Sequence, residues 1–455
     1  MEKKTIPFCT LLIAFAFIGL YAETPVIKPW KYNINIELVD SSLLVNIDLK
    51  ISNTEVGERR FLLFNRYIQI KEASMNGLPM KFERSNDTMY IESVKKQDMH
   101  LLMKYEIPFS VAESSKIKAA YSDSTYIYPI EFDTSQIFCE RFYKWYPVLY
   151  DNFSDYNVTI TIPENYKAFA YFAETRIETL KGKNVYSYNC NDEDFPLFIT
   201  PDRFQTHKEI RHNNTWLDYY FLPRPRRLVA IAGNKPVFIS ERTQIDSLLN
   251  VIINRSVTAI EWYNKNLWKK EIKTINFVET GILGLGVGLG NFILMDRILM
   301  NREAVDNYAL SHEIAHLWLG IHTGYLARGK FFMGESITEY VNLLFYESWA
   351  GDDAFEKAIQ EITSLKYSDT PFYTVNFEQV LNQRKGDSRA DDIIYAKGVA
   401  FVYEFQKMIG RDKLLKIVRE TYDVPDHFVT LKDFESKIKA NNCWNEYLKL
   451  YEIAL

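Results

Sequence analysis

Residues 309–318 read Ala309-Leu310-Ser311-His312-Glu313-Ile314-Ala315-His316-Leu317-Trp318. Apolar side chains recur at helical spacing from Ala304 and Val305 to Trp318, and Gly320 stands near the expected end. On a helix, positions i and i+4 share one face, so His312 and His316 can turn both imidazoles toward one metal ion. Glu313 lies one step around the helix. It is too far round to join them as a ligand, but placed to take a proton from a water held there. The chain has 7 histidines in 455 residues, so two at this spacing favour a metal pair over two histidines merely satisfied on a helix.

A catalytic zinc site takes three protein ligands and keeps a fourth position open. Eighteen residues separate His316 from Glu335, in the run Met333-Gly334-Glu335-Ser336-Ile337-Thr338-Glu339-Tyr340-Val341. This run opens a second predicted helix that reaches about Trp349 and stops at Gly351. Two helices joined by a short connection can face each other across one ion, which nominates Glu335 as the third ligand. Two imidazoles and one carboxylate suit a single zinc ion. A carboxylate behind a zinc-bound imidazole usually fixes its orientation. Glu339, four residues after Glu335, is the nominee for that task, and an ordinary helix-surface Glu is the alternative reading.

At this point the sequence resembles a known family. His-Glu-x-x-His, a Glu eighteen residues further on and Tyr340 five positions later are similar to the gluzincin zinc aminopeptidases, the aminopeptidase N and leukotriene hydrolase type. Tyr395-Ala396-Lys397-Gly398 resembles the Tyr-x-Lys-Gly segment of that family. The resemblance implies that the Tyr395 phenol donates to the oxyanion of the tetrahedral intermediate. Read alone, Tyr395 is one of 30 tyrosines and would be assigned to packing. Weaker echoes lie in Arg141-Phe142-Tyr143-Lys144-Trp145-Tyr146-Pro147, with Asp151 after it, and in Phe195-Pro196-Leu197-Phe198-Ile199. The fold implied is a thermolysin-like catalytic domain ending in helices, preceded by a β domain.

The sequence also departs from that family. Its aminopeptidases carry Gly-x-Met-Glu-Asn ahead of the zinc helix, and the Glu binds the substrate's free amino group. Here the segment reads Gly284-Leu285-Gly286-Val287-Gly288-Leu289-Gly290-Asn291, with Asn291 matching the last position and Gly290 where the Glu is expected. Glycines beside a strand let another backbone approach, as when an extended peptide adds to a sheet edge. Gly288, Gly290 and Asn291 are therefore candidate substrate contacts, residues 291–294 are the expected edge strand, and a plain tight turn is the alternative. Gln136 and Glu140 are candidate replacement anchors for the amine. The sequence runs only 60 residues past Tyr395. Longer relatives add a helical domain there, so a more open groove is expected.

Outward from the site, residues 31–206 alternate apolar and polar over short runs, as in Tyr32-Asn33-Ile34-Asn35-Ile36-Glu37-Leu38. Asn76-Gly77 and Lys181-Gly182 mark turns between such runs. From about residue 208 the period changes. Residues 241–268 form a predicted long amphipathic helix with Ile245, Leu248, Leu249, Ile252, Ile253, Val257 and Ile260 on one face. Strands at 275–278 and 292–295 follow, and helices dominate after about residue 303. The class expected is α+β with several domains: 1–22 a signal peptide, 23–208 an antiparallel β-sandwich-like domain, and 209–455 the zinc peptidase domain.

Composition bounds the partners. A net charge of −5 with no long basic stripe excludes a nucleic-acid footprint, and Arg224, Arg226 and Arg227 read as a solvated turn. Lys3 and Lys4 before an apolar run ending at Ala22 read as a secretory signal, which predicts an exported mature chain, periplasmic or extracellular. Retention of that segment as a membrane anchor is the alternative. Cys139, Cys190 and Cys443 then remain, and either one Cys139–Cys190 bridge or three free thiols fits. The function expected is hydrolysis of peptide or protein substrates, aminopeptidase-like. An open-groove endopeptidase and a non-catalytic binding protein of the same fold are the alternatives.

Overall fold

Strand Trp30–Val39 shows why the first half of the chain builds sheets. Its residues alternate between buried and exposed, sending Trp30, Tyr32, Ile34, Ile36 and Leu38 inward. A computed structural model describes residues 30–453 apart from 41, 55–58, 65–67, 81–82, 86–87, 93–96, 109–135, 140–144, 149–152, 171–175, 193–194, 205, 223–227, 233–234, 240–241, 281–285, 297–308, 321–322, 324–327, 365–391 and 424–427. The proposed signal segment lies outside the described residues, and so does Glu140.

The N-terminal unit is an eight-stranded sheet ordered Arg176–Leu180, Lys183–Asp192, Ser154–Pro163, Trp30–Val39, Ser42–Thr54, Gln97–Pro108, Gln69–Met75, Leu78–Pro79. The tight turns at Asn76-Gly77 and Lys181-Gly182 place all four residues at positive φ, between 51° and 78°. Two-residue hairpins of this hand need that backbone, and Asn-Gly or Lys-Gly supplies it. The expected antiparallel pattern holds with one exception: Trp30–Val39 pairs in parallel with Ser154–Pro163.

A three-stranded sheet, Tyr166–Ala170, Leu197–Pro201 and Ile137–Cys139, lies against the first. Leu197, Ile199, Ala168 and Ile137 join the core beneath the large sheet. Buried tyrosines satisfy the irregular segment between the sheets. The Tyr32 hydroxyl donates to the Pro147 carbonyl at 2.8 Å, and the Tyr105 hydroxyl to that of Trp145 at 2.8 Å. Among the described residues Cys139, Cys190 and Cys443 are in no disulfide, so the bridge between Cys139 and Cys190 does not form. Burial pushes the Cys139 thiol up to about 12, which leaves it inert.

The other face of the three-stranded sheet meets the catalytic unit. Phe169 and Phe198 pack with Tyr220, Val278, Phe292 and Leu294 of a five-stranded mixed sheet. Its order is Thr206–His212, Thr215–Phe221, Thr274–Thr280, Phe292–Asp296, Gly286–Leu289. The opposite face carries Leu217, Tyr219, Phe277 and Ile293. It is covered by helix α1, Arg242–Asn266, through Leu249, Ile252, Ile260 and Tyr263.

The edge strand is therefore Gly286–Leu289, and Phe292–Asp296 is paired on both sides. This corrects the expected edge at residues 291–294. A run of alternating glycines has weak intrinsic strand preference, but here it is held between a paired strand and helix α2, Ala309–Ala315.

The remaining helices among the described residues are α3 (Ile337–Ala350), α4 (Asp352–Ser364), α5 (Gly398–Ile409), α6 (Arg411–Tyr422), α7 (Leu431–Ala440) and α8 (Trp444–Ile453). Gly351 ends α3 at φ 91°, the left-handed stop that the sequence signalled. Among the described residues, no helix is long and apolar enough to cross a membrane.

Candidate active site

Helix α2 carries His312, and His316 follows its last residue one turn on, its backbone N–H still donating to the His312 carbonyl at 3.2 Å; their Nε2 atoms lie 3.1 Å from each other. Each ring is pinned from behind. His312 Nδ1 bonds the Glu339 carboxylate at 2.6 Å, and His316 Nδ1 bonds the Leu319 carbonyl at 3.2 Å. With both Nδ1 atoms occupied, the Nε2 atoms are the ones left to face a metal.

Glu335 enters from the segment before α3. Its Oε2 lies 3.5 Å from His312 Nε2 and 3.6 Å from His316 Nε2. Three atoms separated by 3.1, 3.5 and 3.6 Å share a point about 2 Å from each, the length of a zinc–nitrogen or zinc–oxygen bond. Among the described residues this is the one His/Cys/Asp/Glu group with metal-ligand convergence.

Two glycines permit the approach of these segments. Gly320 turns at φ 84°, and a methyl group there would sit 2.5 Å from the Gly334 carbonyl and 2.9 Å from His316 Nδ1. Gly288 lies so close to α2 that a methyl group would overlap the Glu313 carbonyl oxygen. Gly288, expected from the sequence as a substrate contact or part of a tight turn, is thus what lets the edge strand touch the metal helix.

Electrostatics agree with a cation at the centre. Burial alone disfavours the His312 cation, but Glu339, Glu335 and Glu313 outweigh it and hold the imidazole well above its usual range. Burial opposes ionisation of Glu335 too, yet His316 and His312 hold its carboxyl well below the usual range. Burial pushes the Glu313 carboxyl up, while the two imidazoles and the Gly288 backbone N–H, which donates to it, work in the other direction. Three carboxylates around two imidazoles make a negative, buried pocket, and a divalent cation neutralises it.

Tyr395 stands over this pocket. Its hydroxyl donates to Glu335 Oε2 at 2.9 Å, and its ring meets the His312 ring edge-on with centroids 6.1 Å apart. Glu335 and Tyr395 both lie on single π-helical turns, Phe332–Ser336 and Asp392–Lys397, each running directly into an α-helix.

Residues 284–445 match the model of the peptidase family M1 domain. The chain carries an M1 peptidase domain. That domain is a zinc metallopeptidase domain of the gluzincin kind. No curated protein matches the sequence.

Solved structures of low identity share its fold. The M1 zinc metallopeptidase from Deinococcus radiodurans superposes with a TM-score of 0.65 at 13% identity over 94% of both chains. A mutant of that enzyme bound to a Tyr-Ser-Ala substrate gives 0.62 at 12%, again over 94% of each. Legionella pneumophila aminopeptidase A in complex with aspartic acid gives 0.67 at 13%, over 92% of this chain and 49% of that one.

The other nominated residues among those described fall in two places. Gly290, at φ 55°, and Asn291 form the turn between the edge strand and its neighbour. The Asn291 carbonyl accepts from the Asn276 backbone N–H at 2.8 Å. Gln136 is buried where the N-terminal unit meets the catalytic sheet; its amide donates to Thr200 Oγ1 at 3.1 Å and accepts from Thr280 Oγ1 at 3.2 Å.

Three contributors to the site could not be read from the sequence pattern. One is the Leu319 carbonyl behind His316, and another is the role of Gly320. The third is Lys270, whose ammonium donates to the Leu317 carbonyl just past α2. Backbone acceptors carry no residue-type signal, and only Gly320 left a trace, as a helix stop.

Zinc fits the donor set: two imidazoles, one carboxylate and a carboxylate behind one imidazole. Glu339→Gln should keep the fold but weaken zinc binding by about 10–100-fold, because the partner of His312 Nδ1 loses its charge. Competition with a chromogenic chelator measures this. Unchanged affinity would make Glu339 a packing residue only.

Proposed function

We propose that the M1 domain is an aminopeptidase-like hydrolase in which His312, His316 and Glu335 hold one zinc ion, Glu313 is the general base and Tyr395 stabilises the oxyanion. The observation that carries this is the convergence of His312 Nε2, His316 Nε2 and Glu335 Oε2 on one point, with Tyr395 beside it. When bound, zinc lowers the pKa of a water toward neutrality and polarises the scissile carbonyl.

The chain's own residues do the rest. Glu313 follows His312 directly on α2, and its carboxylate takes the proton of the attacking water and then passes it to the leaving amine. Burial raises that carboxyl, which suits a group that must both accept and return a proton. The Tyr395 hydroxyl exchanges its bond to Glu335 for one to the oxyanion. Packing, and then the neighbouring Glu335 carboxylate, push this phenol well above its usual range, so it stays a donor.

The edge strand supports an extended substrate. Leu289 and Phe292 flank a two-residue turn and pair directly, so the polar groups of Leu289 and Val287 point into the sheet. Those of Gly288 and Gly286 point away from the sheet; the Gly288 N–H is taken by Glu313, which leaves the Gly288 carbonyl and the Gly286 groups for a peptide that adds as a further strand. Export, with a signal segment at 1–22, completes the proposal, on the charge and hydropathy of the N-terminus; the expected division at 208/209 would fall inside strand Thr206–His212 of the catalytic sheet, so the units are taken to divide just before that strand.

The aminopeptidase reading draws on the shared fold with Legionella aminopeptidase A, whereas Gln136 is buried with both ends of its amide bonded to Thr200 and Thr280. One observation favours an endopeptidase instead: Gly290 brings no carboxylate to the turn beside the edge strand. A peptide mixture, half of it N-acetylated, distinguishes them when cut sites are mapped by mass spectrometry. The expected result is cleavage confined to free N-termini. Internal cuts in the blocked peptides would replace the aminopeptidase reading with the open-groove one.

A further inference from the structure

The metal-side glutamate and the tyrosine sit on separate π turns, 60 residues apart in sequence, yet their hydroxyl–carboxylate separation is only 2.9 Å. A π turn holds one residue more than the α-helix would and is retained where tertiary contacts over-determine it. The structure shows one such contact between the two turns. Ser336, next to Glu335 and 1% exposed, donates its hydroxyl to the carbonyl of Ile394, next to Tyr395, at 2.6 Å. Gly398 closes the same contact from the other side. A methyl group on it would overlap Ser336 Oγ and come within 2.7 Å of Ser336 Cβ, with the Ile393 carbonyl next at 3.4 Å.

We infer that Ser336 and Gly398 are positioning residues: a size-matched contact that sets the spacing of the two π turns and so aims the Tyr395 hydroxyl at the reacting carbonyl. This rests on the roles proposed above for Glu335 and Tyr395. Ser336 touches neither metal nor substrate and acts through the segments on either side of it. The surrounding helices are buried and close-packed, so a displacement of a few tenths of an ångström at the contact passes to the two side chains instead of being absorbed. A misplacement of about 1 Å can cost about 100-fold in rate.

The test compares Ser336→Ala, Ser336→Gly, Gly398→Ala and the double variant Ser336→Gly/Gly398→Ala in the zinc-loaded full chain. Zinc content, melting temperature, kcat and KM are measured on one peptide substrate. Gly398→Ala should lose at least tenfold in kcat, with one zinc per chain and KM within twofold of the parent. Adding Ser336→Gly removes both colliding atoms and should restore kcat to within about threefold of Ser336→Gly alone, a coupling that independent sites do not show. Ser336→Ala introduces no overlap and so folds whatever Gly398→Ala does. It should lose at least threefold in kcat, with KM and zinc unchanged.

Wild-type kcat in Ser336→Ala, a loss that follows zinc content, or a Gly398→Ala defect that Ser336→Gly leaves in place would overturn the inference. Tyr395→Phe runs in parallel. If it keeps full kcat, the reading of Tyr395 fails and this inference with it. If it is slow while the Ser336 and Gly398 variants are not, the inference alone fails.

Discussion

Glu313→Gln should lower kcat by about 10³–10⁴-fold while one zinc stays bound. The amide keeps the size of the carboxylate and can still face the Gly288 N–H, but it cannot take a proton from the attacking water. Expressed as a barrier, the loss is about 4–5.5 kcal/mol. KM should change little, because Glu313 is not placed to hold the substrate in its ground state. Zinc content separates this from damage to the metal site. Glu313 is one residue from His312, but the ligand atoms belong to His312, His316 and Glu335. A variant that lost zinc along with activity would mean that Glu313 supports the metal and is not the base.

Tyr395→Phe should cost about 10²–10³-fold in kcat, about 2.7–4 kcal/mol, the usual effect of removing one oxyanion donor. The phenyl ring keeps its edge contact with His312, so only the hydroxyl is lost. Glu335 loses an accepted bond but keeps two imidazoles at 3.5 and 3.6 Å, and zinc should remain. A slow-binding phosphinic peptide that mimics the tetrahedral intermediate offers a second readout. Its affinity should fall in step with kcat, while that of a product peptide should not. Equal weakening of both would place Tyr395 in ground-state binding.

How much of this was legible in the sequence depended on how local each feature is. His312, Glu313 and His316 were legible because a helix brings i and i+4 onto one face whatever surrounds it. Glu335 and its helix followed from a second local pattern, and the structure places that carboxylate beside both imidazoles. Tyr395 was not legible from local pattern. It is one tyrosine among 30, and only its resemblance to a known motif singled it out.

The π turns around Glu335 and Tyr395 were invisible. Their extra residue is stabilised by the contact between Ser336, Ile394 and Gly398, which joins positions about 60 apart. The edge strand was misplaced for a related reason. Gly286, Gly288 and Gly290 carry the signature of a loop, and what makes residues 286–289 a strand is their packing on α2. In the first unit the alternation exposed the strands, but the parallel pairing of Trp30–Val39 with Ser154–Pro163 spans more than a hundred residues and leaves no local trace.

The most direct measurement is a zinc titration of the metal-stripped chain that follows metal binding and peptide hydrolysis together, for the wild type and Glu313→Gln side by side. Both should bind one equivalent, and only the wild type should gain activity, saturating at that equivalent. Activity without zinc, or a Glu313→Gln variant as active as the wild type at one equivalent, would rule out hydrolysis by a zinc-held water with Glu313 as its base.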